Sequence, residues 1–270
     1  MRLTIQHHTR YSYSSGVFLQ PHALYLKPQQ RGYVRLEAER LRVWPQPQAL
    51  HERIDMLGNS CWLMWFPAER TDSFTVDLTL ELELAEVNPY GFILLDAPQL
   101  PFQQYVYPEK MQGFLAPFLE SEQDLALEAF ARACMAQNRD LVSFLAQMAA
   151  VIHAEWQHEI RLTPDLWAPA RTFQLKRGAC RDLSWMLVHL LRQVGLATRY
   201  VSGYTYSSEA VEGHELHAWV EVFLPGAGWV GLDPSLGLLA DGGYIPLAMG
   251  YHPEQVAPLQ GILQGMQKPD

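Results

Sequence analysis

The chain has 270 residues, 49% of them hydrophobic and 18% charged, so it can bury a substantial core. Its net charge is -9 and no Lys/Arg run exceeds two residues. That excludes the clustered basic footprint a nucleic-acid partner needs.

The N-terminus, "MRLTIQHHTRYSY", alternates polar and apolar residues. It lacks the basic and then apolar regions of a signal peptide. The most apolar helical stretch, Leu141 to Ile152, is too short to span a bilayer, so no membrane partner is expected. The three cysteines, Cys61, Cys134 and Cys180, are widely spaced and form no CxxC pair. They suit neither a disulfide framework nor a structural zinc site, and the expected location is a reducing cytoplasm.

In chain order, residues 1–90 read as β structure. "RLTIQHHTRYSY", "HALYLKP", "VRLEAERLRVWPQ", "SCWLMWFP" and "SFTVDLTLELELAE" are alternating runs separated by turn residues, which predicts a sandwich- or barrel-like domain. Residues 91–139 form a connector and a first helix carrying Leu125, Leu127, Phe130 and Cys134. A second helix begins at Asp140, with Leu141, Phe144, Leu145, Met148 and Ile152 on one side. "RLTPDLWAPARTFQLKRG" reads as a loop. Next comes a helix whose apolar face is Leu183, Leu187, Leu190, Leu191 and Val194, stopped by Gly195. The strands "ATRYVSGYTY", "ELHAWVEVFLP" and "GWVGLD" complete a core over 140–235, and residues 236–270 are expected to wrap it as a C-terminal extension.

"KRGACRD" puts Cys180 where a helix begins. First-turn N–H groups lack intrahelical partners and the helix dipole is positive there, so a thiolate is stabilised and an oxyanion could be held nearby. Gly178 and Ala179 are small enough to let a substrate approach the backbone. A cysteine alone is usually an inert buried hydrophobe. Cys180 therefore needs a base.

In "LHAWVEVFL", Leu216, Ala218, Val220, Val222 and Leu224 share an apolar face, and His217, Trp219, Glu221 and Phe223 share the other. "PGAG" (Pro225 to Gly228) predicts a β-hairpin. If its turn centres on Gly226, paired residue numbers sum to about 452, and Asp233 lies diagonally from His217 on the same face. A centre half a residue later would send Asp233 to the wrong face.

Two decoys fail. "GAGWVG" matches a dinucleotide-loop pattern but is followed by "LDPSLG", which opens no helix, and "HELH" (His214 to His217) lacks the four-residue spacing of a zincin.

Taken together, "RGACRD", "GLATRYVSGY", "HAWVEVFLPGAGWVGLDPS", "HHTRYSY" and "PHALYLKP" resemble the transglutaminase-like superfamily. The resemblance is to its bacterial members named as cysteine proteases. It implies an α+β fold: an N-terminal β-sandwich-like domain, then a papain-like core with Cys180 at a helix N-terminus packed on an antiparallel sheet. It also implies Cys180 as nucleophile, His217 as general base and acid, and Asp233 as the residue orienting the imidazole.

The Cys180 backbone N–H is the expected oxyanion donor, with Trp156 as a second donor and Asp182 in support. Trp219 and Tyr204 are expected to line the substrate cleft, with Trp229 nearby. No metal or organic cofactor is implied, and the partner is a peptide or protein substrate. Acyl transfer to water makes a protease or amidase, transfer to an amine makes a cross-linking enzyme, and a silent peptide-binding module is the non-enzymatic alternative.

Overall fold

The structure, a computed structural model, describes residues 1–161, 163, 165–206 and 216–264. The chain divides into two compact units. The first comprises Met1–Glu86, Ile245–Ala248 and Val256–Asp270, and the second Val87–Tyr244 with Met249–Gln255.

In the first unit, β1 (Arg2–Leu24), β2 (Val34–Trp44), β3 (Ala49–Ile54), β4 (Ser60–Trp65) and β5 (Arg70–Leu84) pair in the order β2-β5-β1-β4-β3. The strand Leu259–Gln264 adds a sixth member beside β1. The expected sandwich-like domain is thus one continuous antiparallel sheet. Its longest strand joins two runs that the sequence separates. The front of β1 pairs with β5, its register shifts between Ser12 and Val17, and its end pairs with β4. Along β5, Val76, Leu78, Leu80, Leu82 and Leu84 are buried while Asp77, Glu81 and Glu83 point outward, the period-two pattern of a sheet with one covered face. Two expectations change here. β3 is an edge strand whose charged sequence hides it. The C-terminal segment gives its strand to this unit instead of wrapping the core.

In the second unit, residues 87–108 carry no regular element. Three helices follow: α1 (Glu109–Leu119), α2 (Leu125–Ala136) and α3 (Leu141–Glu155). Asp124 and Asp140 cap α2 and α3 by accepting first-turn N–H groups, which fixes where both begin. Then come β6 (Gln157–His158), α4 (Pro169–Leu175), β7 (Arg177–Gly178) and α5 (Cys180–Gln193). The segment read as a loop holds α4, started by Pro169 in its first turn and ended by left-handed Lys176 (φ 50).

After α5, Gly195 adopts φ +83, and a Cβ there would come within 2.6 Å of the Tyr105 carbonyl oxygen, so the predicted stop is sterically enforced. β8 (Thr198–Thr205), β9 (His217–Leu224), β10 (Gly228–Asp233) and β11 (Leu238–Leu239) form antiparallel neighbours in the order β11-β10-β9-β8. β12 (Tyr244–Gly250) begins in this unit at Tyr244. Helix α5 packs on β8 and β9, with Leu183, Leu187, Leu190, Leu191 and Val194 all buried. Each stabilises the unit by about 1.5–3 kcal/mol relative to exposure. This contact holds the start of α5 over the sheet.

Candidate active site

Cys180 is the first residue of α5, and its neighbours are fixed by the buried carboxylate of Asp182. One Asp182 oxygen accepts the Ala179 N–H (2.9 Å), and the other accepts the Trp167 N–H (2.9 Å) and Arg161 Nη2 (3.0 Å). Asp182 therefore does more than complement the helix dipole. It ties the loop before α4 to the turn that carries the thiol. Gly178 and Ala179 are small for the same reason. Both are buried, and a Cβ on Gly178 would sit 2.9 Å from the Asp182 Cβ. The expected substrate approach to their backbone is replaced by close internal packing.

The hairpin β9–β10 carries the other two groups. Leu224 pairs with Gly228, Phe223 with Trp229 and Val220 with Leu232, so the register sums to 452 and the turn centres on Gly226. That parity puts Asp233 on the side of His217, and His217 Nε2 meets Asp233 Oδ2 at 2.7 Å. The same carboxylate accepts the Tyr244 hydroxyl at Oδ2 (2.7 Å) and the N–H groups of Ser235 (2.8 Å) and Leu236 (3.2 Å) at Oδ1. With Nε2 engaged, Nδ1 is the imidazole nitrogen left for Cys180, which is hydrogen-bonded to His217. Ser184 Oγ donates to the Ala218 carbonyl (2.9 Å), pinning α5 to β9 one turn below the thiol.

The electrostatics follow from this packing. Burial pushes the Cys180 thiol up. Hydrogen bonds from His158 and His217, the His217 charge and the Ala218 N–H outweigh that and bring it down to about 6. Burial pushes His217 down, but the Asp233 and Cys180 hydrogen bonds and charges raise it to about 10. The pair thus favours a thiolate facing an imidazolium near neutrality. By contrast, burial raises both Cys61 and Cys134.

His158 was not anticipated from sequence. The short parallel pair β6–β7 sets His158 opposite Gly178, with the Glu159 N–H on the Gly178 carbonyl (3.0 Å), and its side chain reaches the Cys180 thiol. The one visible signal was a polar "QHE" directly after the apolar end of α3. Tyr244, the second donor to Asp233, gave no signal at all.

Three expected roles are corrected. Trp156 is buried against Phe130 and Phe173, and its Nε1–H donates to the Thr172 carbonyl (3.1 Å), so it is spent as an oxyanion donor. Trp219 is 1% exposed in a cluster with Val201, Tyr244 and Met249. It lines no cleft, but buttresses the stacked His217 ring and the edge-on Tyr244 ring. Tyr204 is likewise buried. Trp229 packs against Phe118, Phe223 and the Arg199 guanidinium.

"GAGWVG" forms the hairpin turn and β10, so no helix follows it, while His214 lies outside the described residues. Among the described residues, no three His, Cys, Asp or Glu side chains gather to hold a metal ion, and no helix is long and apolar enough to cross a membrane.

Comparison with known proteins places this arrangement. Residues 128–234 match the transglutaminase-like superfamily, and residues 3–83 match the bacterial transglutaminase-like N-terminal region. The chain belongs to the transglutaminase-like superfamily. Within it, the chain is of the bacterial type that carries this N-terminal region. An uncharacterized protein of Mycobacterium tuberculosis, Rv2569c, is 27% identical over 97% of this chain and 87% of its own length. A crystal structure from Cytophaga hutchinsonii, provisionally named a cysteine protease, shares the fold with a TM-score of 0.74. It is 18% identical and covers 99% of this chain and 88% of its own.

The cytoplasmic expectation is withdrawn. Solved structures similar to this chain include the periplasmic domain of TgpA from Pseudomonas aeruginosa, at a TM-score of 0.42 and 14% identity over 85% of this chain and 89% of that one. Cysteine usage does not fix the compartment. Cys61 and Cys134 are buried and all three cysteines are free, and thiols so shielded persist in an oxidising compartment as well.

Proposed function

We propose that the protein is a thiol-dependent acyl-transfer enzyme acting on peptide or carboxamide bonds, a cysteine protease or amidase, with Cys180, His217 and Asp233 as its triad. The observation that carries this reading is a first-turn cysteine hydrogen-bonded to an imidazole whose far nitrogen rests on a buried carboxylate. All three groups belong to the second unit, which is therefore assigned the chemistry.

In this mechanism His217 takes the thiol proton and the sulfur bonds to the carbonyl carbon. The C=O electron pair moves onto oxygen. The Cys180 N–H and the His158 imidazole are the proposed donors to that oxyanion, in place of Trp156. Collapse re-forms the carbonyl and breaks the C–N bond, and the leaving amine takes its proton from His217. Water, deprotonated by His217, then cleaves the thioester and releases the acid. A primary amine in the place of water would give a new amide, so the two outcomes share the first half-reaction.

The test is alkylation followed by product analysis. Iodoacetamide at neutral pH should label Cys180 selectively, and the pH midpoint of that labelling should move upward in His217→Ala. Labelling of all three cysteines only after denaturation would instead identify a silent peptide-binding module. Mass analysis of a glutamine-containing peptide, with and without a primary amine, then separates hydrolysis from cross-linking.

A further inference from the structure

The β6–β7 pair that brings His158 to the thiol uses only part of its main chain. Gln157 and Glu159 give their N–H groups to the carbonyls of Lys176 (2.9 Å) and Gly178 (3.0 Å). In a parallel ladder, successive residues turn their main-chain groups to opposite sides. His158 stands between those two, opposite Gly178, so its own N–H and C=O both face away from β7. Among the described residues, nothing bonds either group. β6 ends its two-stranded sheet, and His158 is exposed, so water serves both groups and a ligand can replace it.

This short edge sits beside the nucleophile. The His158 imidazole is hydrogen-bonded to the Cys180 thiol, so the open main-chain groups lie one side chain away from the sulfur. A strand laid against β6 would run about 4.8 Å from it, and each further residue advances about 3.3 Å. One or two residues beyond the paired one therefore span the length of the imidazole.

The size of the edge restricts its occupant. Two main-chain hydrogen bonds do not offset the freedom lost when two proteins associate, so the edge is no interface for a second copy of the chain. They suffice to orient a substrate for one turnover. A small ion would engage the donor or the acceptor, never both. A residue of an extended peptide carries both on one side of its own main chain, and an antiparallel partner exchanges both bonds with it.

We propose that the outer edge of β6 is the substrate-binding edge: one residue of an extended peptide exchanges N–H and C=O bonds with the main chain of His158, and a carbonyl one or two residues along reaches Cys180. Recognition at this point reads extended main chain and not side-chain identity. The substrate class is thus an extended or unfolded segment, and neither a helix nor a folded surface fits. Calling that peptide a substrate rests on the acyl-transfer reading; the strand pairing does not.

The test uses the full chain with Cys180→Ala, so that binding is read without turnover, and acetyl-pentaalanine amide as the probe. At saturating peptide, hydrogen exchange of the His158 amide followed by NMR should slow by at least about tenfold, while the Gln157 and Glu159 amides, already bonded to β7, should change by less than about twofold. Adding His158→Ala or His158→Pro removes the imidazole in both cases, and only proline also removes the outward N–H. Proline fits an edge position whose N–H makes no ladder bond and whose preceding residue is extended. Peptide affinity should fall about three- to tenfold from the alanine to the proline variant, the scale of one hydrogen bond, with similar urea midpoints. An unchanged His158 amide, no saturable binding, or equal affinities in the two folded variants would overturn the proposal. The exchange result decides even if the proline variant does not fold. The acyl-transfer reading fails separately, by unselective alkylation of Cys180 in the wild-type protein, and that result leaves the exchange signature standing.

Discussion

Replacing Asp233 with asparagine probes the site most directly, because the carboxylate serves four donors with two oxygens. Asparagine has one oxygen and one NH2 group. If its NH2 turned toward the N–H groups of Ser235 and Leu236, two backbone donors would lose their acceptor, at about 1–3 kcal/mol each. The favoured orientation keeps the oxygen there and points NH2 at His217, while the Tyr244 hydroxyl rotates to accept. The fold survives, but His217 must now accept at Nε2 and carry its proton on Nδ1, facing the sulfur it should deprotonate. Hydrolytic activity should fall by roughly 10³–10⁴-fold, the scale of a wrong tautomer in such triads.

The thiol reports the same change without a substrate. Together with the His158 hydrogen bond, the His217 imidazolium lowers Cys180 to about 6, and it owes its stability first to the Asp233 hydrogen bond, set against burial. A hydrogen bond to a charged partner is worth about 1.5–3 kcal/mol, which corresponds to roughly one to two pKa units of support for the imidazolium. The thiol midpoint should then climb by a similar amount. Iodoacetamide labelling of Cys180, followed by peptide mass spectrometry from acid to alkaline pH, measures it, with urea unfolding as a check on the fold. The midpoint is the quantity to read, not the rate at one pH. A thiolate of higher pKa is intrinsically more nucleophilic, by about six- to tenfold over two units, and nearly cancels the smaller ionised fraction at neutrality. A variant midpoint within a few tenths of the wild type would refute this account of Asp233.

For the wild type, activity should follow a bell. It rises as Cys180 ionises through about 6 and falls as His217 loses its proton through about 10, and a kcat/KM profile without the acid limb would contradict the pairing. His158→Phe should lower kcat by about 10²-fold with little change in thermal midpoint, as expected on loss of one oxyanion donor; an equal loss in KM alone would remove His158 from that role. Gly178→Ala forces a Cβ to 2.9 Å from Asp182 and should destabilise the unit by about 1–3 kcal/mol in urea unfolding, with slower alkylation of Cys180. Tyr244→Phe removes one of four donors to Asp233 and should cost about 1 kcal/mol, with a modest rise of the His217 midpoint followed by NMR, because the carboxylate then gives more of its charge to the imidazolium.

The parts of the site legible in sequence were those governed by local period. The α5 stripe from Leu183 to Val194, the Gly195 stop and the presence of the hairpin follow from side-chain spacing and turn chemistry, which neighbours in sequence encode, while the 452 register was one of two that the turn allowed. The parts missed depend on partners distant in the chain. His158 reaches Cys180 only because β6 lies beside β7, a pair two residues long that no periodicity reveals. Trp219 looked cleft-facing because alternation shows which residues share a face, not what covers it. Here Tyr244 and Met249 do. Helix α4 was masked by its own start, since Pro169 reads as a breaker until its first-turn position is known. β3 was masked by "HER", charges an edge strand tolerates.

The hairpin that carries His217 and Asp233 has a consequence for chain-length variation. The couple depends on register and not on the length of the tip: a one-residue slip of β10 against β9 would turn the carboxylate to the opposite side of the sheet and separate it from the imidazole, whereas a turn of any length that still joins Leu224 to Gly228 preserves the coupling. Relatives should therefore vary freely in the length of this tip, but should carry no single-residue insertion or deletion within the strand segments between His217 and Leu224 or between Gly228 and Asp233 wherever the couple is retained.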